Sequence, residues 1–592
     1  MSYRFGDFVL DEASQSLLLG NQIQDVQPLV FDLLCYLVKN AGRVVPKDEL
    51  LDTLWPGVTV TESSLQRAAS LARRTLASGG LGHAIKNFAK RGYRFALDES
   101  DLGAFAPAAD AVDALGEARR AAQQRQWESA SLHFARAAEA ATLEPDDLEL
   151  WALADECRGR PVDAIPALTR AIEAHLGAGR TSRAARAAVT LSKVELERGA
   201  SARAEGWIER ARAILGTRPD EDVQAYLLWM QSRLATFAGE ADKALQLANQ
   251  AYDLVENSKD QGLKALTLVY RGFYHLALGR MDEGSRLQNH AAAIALSSRL
   301  DPITGSLIYC NILWSCRTYA DWERALQWSD GFEEWCSASF AENPGSCDLH
   351  RAEILGARGT LSEAFEKITA AIPKLYAEEA WSLGEGYRVR GDIAYMLGDE
   401  TQAAQDYEKA YSMGWDAEPG HAIMLAEQGE HEAALAALDR SLAGQSWFHL
   451  QRKGVLLAHA ARIAARHGLA ERARSYLAQL DAEPARWSQP TIRALAAEAR
   501  ADLAPDPSSA LQLRLLARQL WTSANIDFHA ARLRLELAQS YAAAGDRSGV
   551  EVELGAAERL ARRIASPRLL EQCARLRGKA PRREMALSEV ST

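Results

Sequence analysis

The sequence contains no long apolar run and few cysteines. No stretch of about 18 uncharged apolar residues occurs, which argues against a membrane-spanning helix and a membrane partner. Seven cysteines are scattered over 592 residues, and an odd, sparse set does not form a disulfide framework. The segment from Met1 to Phe8 contains Arg4 and Asp7 and has no apolar core like that of a secretory signal. These absences predict a cytoplasmic protein with reduced thiols.

The chain also lacks the motifs of common catalytic sites. There is no GxxxxGK[ST] phosphate loop, and the faint echo at 177–182 lacks the lysine and follows a helix. His431-Glu432 begins a zinc-protease motif, but Leu435 stands where the second histidine must be. We therefore predict a protein that is not an enzyme and has no cofactor.

A loose group of cysteines is the remaining candidate for metal binding. Cys347 and His350 are one helical turn apart and could face one ion, whereas zinc requires four converging ligands. The simpler interpretation is that the cysteines of this region are buried in helices, and we predict no metal site. The group consists of Cys310, Cys316, Cys336, Cys347 and His350.

Charge is distributed unevenly along the chain. The formal net charge is −11, yet residues 1–100 contain 11 basic and 11 acidic residues, so the acidic excess lies in the remainder. From Thr61 to Leu97 there are seven Lys and Arg residues against Glu62 alone. A basic segment on a neutral domain indicates an edge that faces a polyanion.

The first hundred residues alternate between strand and helix patterns. Tyr3–Leu10 and Ser16–Leu19 have the alternation of short antiparallel strands. Helical spacing of leucines follows Pro28, a second short helix is expected at Lys47–Trp55, and a third from Thr61 to Leu76. Two further strands, Ala84–Phe88 and Gly92–Leu97, are joined by a basic turn.

Strands, three helices and a basic hairpin are the plan of a winged helix. The third helix would enter the major groove of DNA, and the hairpin would reach the backbone or the minor groove. Its inward face would be Leu65, Ala69, Ala72 and Leu76. The opposite face would carry Ser63, Arg67, Ser70 and Arg74.

The sequence of this domain resembles the OmpR/PhoB-type effector domain. The matching stretches are FDLLCYLVKNAGRVVPKDELLDTLWPG, VTESSLQRAASLARRTL and IKNFAKRGYRF. That family is associated with phosphorelay signalling, but no receiver domain precedes the winged helix in this sequence, and we do not expect phosphorylation in cis. Ala69 and Ala72 replace larger residues of the family, so a looser or slightly rotated third helix is expected.

The resemblance implies specific DNA contacts. In the third helix and the wing, the family's contact positions fall on Ser64, Arg67, Ser70, Arg73, Asn87, Arg91 and Tyr93. The exposed helix face adds Ser63 and Arg74, and the wing tip adds Lys90. The segment through which such domains often touch RNA polymerase falls on Trp55, Pro56, Gly57, Val58, Thr59 and Val60.

The following five hundred residues contain an internal repeat. A turn residue is followed five positions later by a small residue, nine later by a larger one, and twelve later by alanine. Clear copies turn at Gly199, Gly239, Gly359 and Gly398. Weaker copies turn at Arg125, Gly159, Gly279, Ala320, Gly429, Gly468, Pro505 and Gly545. Helix–turn–helix units of this size are typical of an α-solenoid, and they resemble extended tetratricopeptide-like arrays of large bacterial regulators.

The sequence thus predicts a mostly α protein: a small α+β winged-helix domain and an all-α tetratricopeptide-like solenoid. The boundaries are 1–98 for the winged helix, 99–110 for a linker, 111–577 for about twelve repeats, and 578–592 for a flexible tail. Four tryptophans between 314 and 335 either fill gaps between helices or line a ligand groove.

We interpret the chain as a one-component transcription regulator that binds double-stranded promoter DNA. The array would sense a protein, peptide or small molecule, or assemble copies of the chain into a homo-oligomer. The alternative is a helical scaffold whose winged helix binds proteins. Steep salt dependence of DNA binding would distinguish the two hypotheses.

Overall fold

The computed structural model describes residues 2–579, apart from positions 7, 12–14, 21, 25, 42, 56–61, 89–90, 97–109, 218–219, 298–299, 341, 379–381 and 445. Among these residues, no helix has the length and apolar character needed to cross a membrane. The chain forms two compact units, Met1–Leu143 and Glu144–Thr592. The predicted linker lies outside the described residues except for its last position, and so does the predicted tail beyond Lys579.

The first unit begins with seven strands and three helices and ends with one helix pair. The strands are β1 (Ser2–Phe5), β2 (Phe8–Asp11), β3 (Ser16–Leu19), β4 (Gln22–Gln24), β5 (Val45–Pro46), β6 (Ile85–Phe88) and β7 (Gly92–Phe95). The helices are α1 (Pro28–Lys39), α2 (Lys47–Leu54), α3 (Glu62–Ala77), α4 (Asp110–Gln123) and α5 (Trp127–Ala140). The predicted helices and the β6–β7 hairpin are confirmed. The predicted strand Tyr3–Leu10 is instead divided into β1 and β2, which pair with each other, and the short strands β4 and β5 were not predicted.

Two small sheets frame the three helices. The strands β1 to β4 form an antiparallel sheet in chain order, and β7 lies between β5 and β6 in a second sheet. Their inward residues pack with α1 and α3 into one core that includes Phe8, Leu34, Leu65 and Leu76. This core holds α3 and the β6–β7 wing in place.

Gly92 is required where β5 and β7 meet. Its φ is +148°, and a Cβ atom at this position would lie 1.9 Å from the carbonyl oxygen of Val45. Only glycine allows so close a backbone approach. The GYRF sequence therefore begins with a residue that fixes how the wing joins the domain.

The second unit is entirely helical in its described part. Its helices are α6 (Pro145–Cys157), α7 (Ala164–Gly177), α8 (Thr181–Glu197), α9 (Ser201–Leu215), α10 (Glu221–Phe237), α11 (Ala241–Val255), α12 (Gln261–Ala277), α13 (Met281–Ser297), α14 (Pro302–Thr318), α15 (Trp322–Ser339), α16 (Gly345–Arg358), α17 (Leu361–Glu378), α18 (Leu383–Leu397), α19 (Glu400–Ser412), α20 (Gly420–Glu427), α21 (His431–Ala443), α22 (Trp447–Arg466), α23 (Ala470–Ala482), α24 (Pro490–Asp502), α25 (Pro507–Ser523), α26 (Asp527–Ala543), α27 (Arg547–Arg563) and α28 (Pro567–Lys579). Eleven helix pairs, α6/α7 to α26/α27, are followed by the single helix α28.

The predicted turns lie between the two helices of each pair. Eleven of the twelve have a left-handed residue at the predicted position, with φ between 55° at Ala320 and 96° at Gly398. Glycine adopts this conformation without a steric penalty, whereas Arg125 and Ala320 adopt it at a cost. Pro505 is the exception, because the proline ring fixes φ near −65°.

The small residues of the repeat are buried between paired helices. Ala204, Ile208 and Ala211 of α9 are at most 2% exposed, and the corresponding residues of the other three clear copies are buried as well. The Ser192 hydroxyl of α8 donates a hydrogen bond to the Ala204 carbonyl oxygen over 2.8 Å. The repeat pattern therefore marks the contact between the helices of one pair.

Pairs that are distant in sequence also touch. The Trp314 indole N–H donates to the Gln451 side-chain oxygen at 3.1 Å. The Arg486 guanidinium donates to the Ala277 carbonyl oxygen at 2.9 Å, and Ser566 Oγ donates to the carbonyl oxygen of Met396 at 2.7 Å. The second unit is thus held by long-range contacts in addition to those between neighbours.

Candidate nucleic-acid interface

The helix α3 has one buried and one exposed face, as predicted. Ala68, Ala69 and Ala72 are at most 3% exposed. Their short side chains pack in the same core as α1. Burial of this face leaves the side chains of the opposite face in solvent.

The exposed face of α3 carries the predicted polar and basic residues. Ser63, Arg67, Ser70 and Arg74 are exposed, and Ser64 is half-buried. Arg67, Ser70 and Arg74 follow each other at intervals of three and four, which places them on one side of the helix. Two guanidinium groups on such a side can bind phosphates or the acceptor edge of guanine.

Arg73 has a different environment from its neighbours. Its Nε donates a hydrogen bond to the Ile85 carbonyl oxygen of β6 at 2.9 Å, and its guanidinium lies 5.7 Å from the centre of the Tyr93 ring. Arg73 therefore ties α3 to both strands of the wing. Sequence reasoning could not distinguish this arginine from Arg74.

Tyr93 is buried, with 2% of its surface exposed. It pairs with Val45 on one side and with Asn87 on the other, and Arg73 lies over its ring. The prediction that the Tyr93 side chain contacts DNA does not fit this position. Its ring instead supports the guanidinium that joins the helix to the wing.

The wing presents Asn87 and Arg91 to solvent. Lys90, at the predicted tip, lies outside the described residues. Lys86 and Arg94 are direct cross-strand partners and share one face of the wing, and the Arg94 guanidinium lies 5.3 Å from the Phe88 ring centre. These two cations were missed as site residues, although strand alternation places both on the face away from Tyr93.

The turn between α1 and α2 is fixed by an ion pair. Arg43 donates to Glu49, and the Tyr36 hydroxyl donates to the same carboxylate at 2.8 Å. These hydrogen bonds lower the pKa of Glu49 to about 2. At the end of α2, the N–H of Trp55 donates a hydrogen bond to the Leu51 carbonyl oxygen. The rest of the predicted polymerase-contact loop, 56–60, lies outside the described residues.

One group of potential metal ligands comes together among the described residues of the second unit. Asp146, Glu149 and His175 come together, but Arg183 binds both carboxylates, at 3.1 Å and 3.4 Å. Cys336 and Cys347 are buried with their sulfur atoms 3.4 Å apart. His350 Nδ1 lies against the Arg317 guanidinium instead of facing Cys347.

The predicted tryptophan cluster has mixed surroundings. Trp314 is buried and contacts the Trp415 ring edge-on at 6.4 Å. Trp328 donates to Asn289 at 3.2 Å, while Trp322 lies in the wall of an internal cavity. Most of the cluster therefore packs between helices, and two members, Trp314 and Trp322, also line spaces that a ligand could fill.

Known proteins match the N-terminal domain in sequence. Residues 21–95 match the family described as "Transcriptional regulatory protein, C terminal". The chain is 34% identical over 91 residues to the transcriptional regulator HilA of Salmonella typhi and of Salmonella typhimurium. The aligned stretch covers 15% of this chain and 16% of each relative.

Solved structures match the helical array with low similarity. They include the APC/C hetero-tetramer Cut9–Hcn1, with 16% identity, 78% of this chain and 96% of that chain covered, and a TM-score of 0.36. The human IFIT1 dimer with m7Gppp-AAAA has 13% identity, covers 76% of this chain and 99% of that chain, and has a TM-score of 0.37. Residues 21–95 form a winged-helix domain of the OmpR/PhoB type, and tetratricopeptide-like helix pairs follow it in the same chain.

Proposed function

We propose that the protein is a sequence-specific transcription regulator that binds double-stranded promoter DNA. The observation that carries the proposal is the exposed basic face of α3, opposite a fully buried face of the same helix. A helix so presented can enter the major groove and read base edges. The family match and the HilA similarity of the same domain support this role.

We assign the DNA contacts to those predicted site residues to which we give no positioning role in the domain. Base and phosphate contacts come from Ser63, Ser64, Arg67, Ser70, Arg74, Asn87, Lys90 and Arg91. Arg73 and Tyr93 act as positioning residues, because the structure uses both to join α3 to the wing. Lys86 and Arg94 add phosphate contacts from the second face of the wing.

The remaining parts of the proposal concern partners. Trp55–Val60 contacts RNA polymerase, as the family resemblance implies, and the protein acts in the cytoplasm. The helical array senses a ligand or a partner, or joins copies of the chain. A single winged helix buries little surface on DNA, and dimeric binding would strengthen it.

Genome-wide binding of the tagged protein in its native cells tests the DNA-binding role. Wild type should give discrete promoter peaks, and the Arg67→Ala/Arg74→Ala variant should lose them. The control is Arg212→Ala/Arg474→Ala, which removes two exposed arginines of the array and should leave the peaks intact. Peaks that survive loss of Arg67 and Arg74, or no peaks in wild type, would favour the scaffold hypothesis.

A further inference from the structure

The second unit contains a partly open cavity of about 190 Å³. Most of its wall is built from the first helices of seven consecutive pairs, α14, α16, α18, α20, α22, α24 and α26, and Trp322 of α15 and Tyr407 of α19 complete it. An apolar cavity of about 150 Å³ in another protein is large enough to hold benzene. A ligand here would therefore be a small molecule, slightly larger than benzene, and not a peptide.

One part of the wall is apolar. Trp322, Val389, Ile393, Val455 and Phe528 line it. Phe528 is buried and Trp322 is half-buried. A ligand that fits this part needs a compact apolar body, either aromatic or branched aliphatic.

The other part of the wall contains five arginines, and most of them are in ion pairs. Arg388 binds Glu353 at 2.9 Å, and Arg462 and Arg532 both bind Glu498, at 2.7 Å and 2.6 Å. Arg317 binds Glu385 at 2.6 Å. The fifth, Arg452, donates to the carbonyl oxygen of Glu418. The five arginines are Arg317, Arg388, Arg452, Arg462 and Arg532.

Several polar atoms of the wall have unused hydrogen-bonding capacity. Thr491 Oγ, His459 Nδ1 and the Nε atoms of Arg388 and Arg532 are buried and find no hydrogen-bond partner within the part of the protein that the structure describes. Thr491 and His459 are 7% and 6% exposed. Leaving a buried polar group unsatisfied costs about 1–3 kcal/mol. A ligand that carries acceptor oxygens would satisfy the hydroxyl and guanidinium donors of this set.

Charged groups around the cavity make it favourable for an anion. Burial and then Arg388 lower the pKa of Arg452 to about 10, and burial and then Arg462 lower that of His459 to about 3. The arginines also bring the pKa of Glu353 and Glu498 to about 2, against the opposing effect of burial.

Two further carboxyl groups of the wall, Asp392 and Glu427, also contribute charge. Asp392 is the one carboxyl of the wall with a raised pKa, about 6, which burial causes and Arg388 opposes. Glu427 binds Arg568. Most of the wall arginines therefore already have a carboxylate partner. Because the cavity is small, we expect a ligand with one negative charge and not with several.

We propose that this cavity is the effector site of the regulator and that its ligand is a small monocarboxylic acid with an aromatic or branched aliphatic body. The proposal names the ligand of the sensing role suggested above for the array, and it rests on that role. The carboxylate would accept hydrogen bonds from the Thr491 hydroxyl and the buried guanidinium N–H groups, while the body packs on Val389, Ile393 and Phe528.

Isothermal titration calorimetry of the full-length protein tests this site. The probes are benzoate and isovalerate, with benzyl alcohol as an uncharged molecule of similar size. At least one carboxylate should bind saturably, one molecule per chain, and about tenfold or more tighter than benzyl alcohol. Failure of both carboxylates to bind, or equal binding of benzyl alcohol, would overturn the proposal.

Two variants locate the binding. Ala357 lines the cavity without carrying a polar group, so Ala357→Leu should fill the space and weaken binding about tenfold or more. Thr491→Val keeps the shape and removes the hydroxyl, and it decides the question if Ala357→Leu does not fold. The control is Ala404→Leu on the exposed face of α19, which should bind like wild type.

Unchanged affinity in Ala357→Leu or in Thr491→Val would place the carboxylate elsewhere and refute the assignment. Promoter binding is measured separately, with Arg67→Ala/Arg74→Ala. A protein that binds DNA but no carboxylate refutes the effector site alone. A protein that binds carboxylate but no DNA refutes the regulator and leaves the cavity as a binding site.

Discussion

Arg73 joins two elements of the winged helix through a single side chain. It donates to the backbone of β6 and covers the ring of Tyr93, while Arg67 and Arg74 extend from the exposed face. The sequence shows a run of arginines and cannot separate their roles, because both adjacent positions are basic. The structure separates them by the partner that each side chain meets.

Arg73→Ala should weaken DNA binding by misplacing the wing and should leave the salt dependence nearly unchanged. Arg74→Ala should lower the slope of log K against log salt by about 0.9, because one phosphate contact is lost. Fluorescence anisotropy with promoter DNA at four salt concentrations measures both. A slope for Arg73→Ala that falls as far as that for Arg74→Ala would show that Arg73 contacts phosphate itself.

His459 makes the free energy of unfolding of the array depend on pH. Burial lowers its folded-state pKa to about 3, against about 6.5 in an unfolded chain. Between these values the unfolded state binds a proton that the folded state does not, so the free energy of unfolding falls as pH falls. The same direction applies to His529, whose pKa burial and Arg532 lower.

His459→Gln should reduce the loss of stability between pH 6.5 and pH 4 by up to about 1.4 kcal/mol per pH unit. Urea unfolding followed by far-ultraviolet circular dichroism at several pH values measures this. His290→Gln, at an exposed position, is the control and should retain the wild-type slope. An unaltered slope in His459→Gln would mean that the imidazole is protonated in the folded protein.

At the scale of the helix pair, close approach of two helices depends on the small residue five positions after the turn. Ala204 is fully buried, and its carbonyl oxygen accepts the Ser192 hydroxyl from the paired helix. Ala202, two positions earlier on the same helix, is exposed. The two alanines have the same intrinsic helix propensity and differ only in what they face.

Ala204→Leu should lower the free energy of unfolding by about 1–3 kcal/mol, because the added atoms have no space between α8 and α9. Ala202→Leu adds the same atoms to the exposed face and should change stability by no more than about 0.5 kcal/mol. Urea denaturation compares them. Equal stability of the two variants would show that the pair tolerates a wider separation.

The order of elements was predictable from sequence because period and turn chemistry are local. Alternation predicted strands at Tyr3–Leu10 and Ser16–Leu19, leucine spacing predicted α1, and the spacing of turn residues predicted the turns of the array. The two-residue strand β5 was not predictable, because its register depends on β7, almost fifty residues later. Strand alternation places Lys86 and Arg94 on the wing face away from Tyr93, but that they are direct partners becomes visible only when strand pairing is known.

At the scale of the whole second unit, contacts between distant helix pairs could not be predicted from the sequence. A repeat period reports which helices are neighbours and carries no information on which pairs meet again later. The buried arginines of the cavity illustrate this, since Arg462 and Glu536 are separated by about two pairs and still meet at 3.2 Å. The spacing of the twelve predicted turns contains no information on this network.

Arg568 of α28 fastens the last helix to the middle of the array. It donates to Glu400 at 2.7 Å and to the Tyr395 hydroxyl at 2.9 Å, and its guanidinium lies 4.1 Å from the Tyr395 ring centre. It also binds Glu427. Side chains from α18, α19 and α20 therefore all contact the guanidinium of Arg568.

Arg568→Ala should lower the free energy of unfolding by about 1–2 kcal/mol, since Glu400 and Glu427 are partly exposed and solvent screens their charges. Hydrogen exchange should rise in α18, α19 and α28 together. Arg474→Ala, which breaks an exposed pair with Glu471, should leave both measurements unchanged. Faster exchange confined to α28 would show that the contact does not stabilise the middle pairs.

The contact of α28 with α18 also constrains how this chain can change in evolution. In an open array each repeat touches only its neighbours, and a unit can be gained or lost with little effect on the others. Here Ser566 must reach the Met396 carbonyl and Arg486 that of Ala277, so a duplication or deletion between those positions would shift every later partner out of register. The number of repeats is thereby fixed, and related proteins should vary in the sequence of the units far more than in their count.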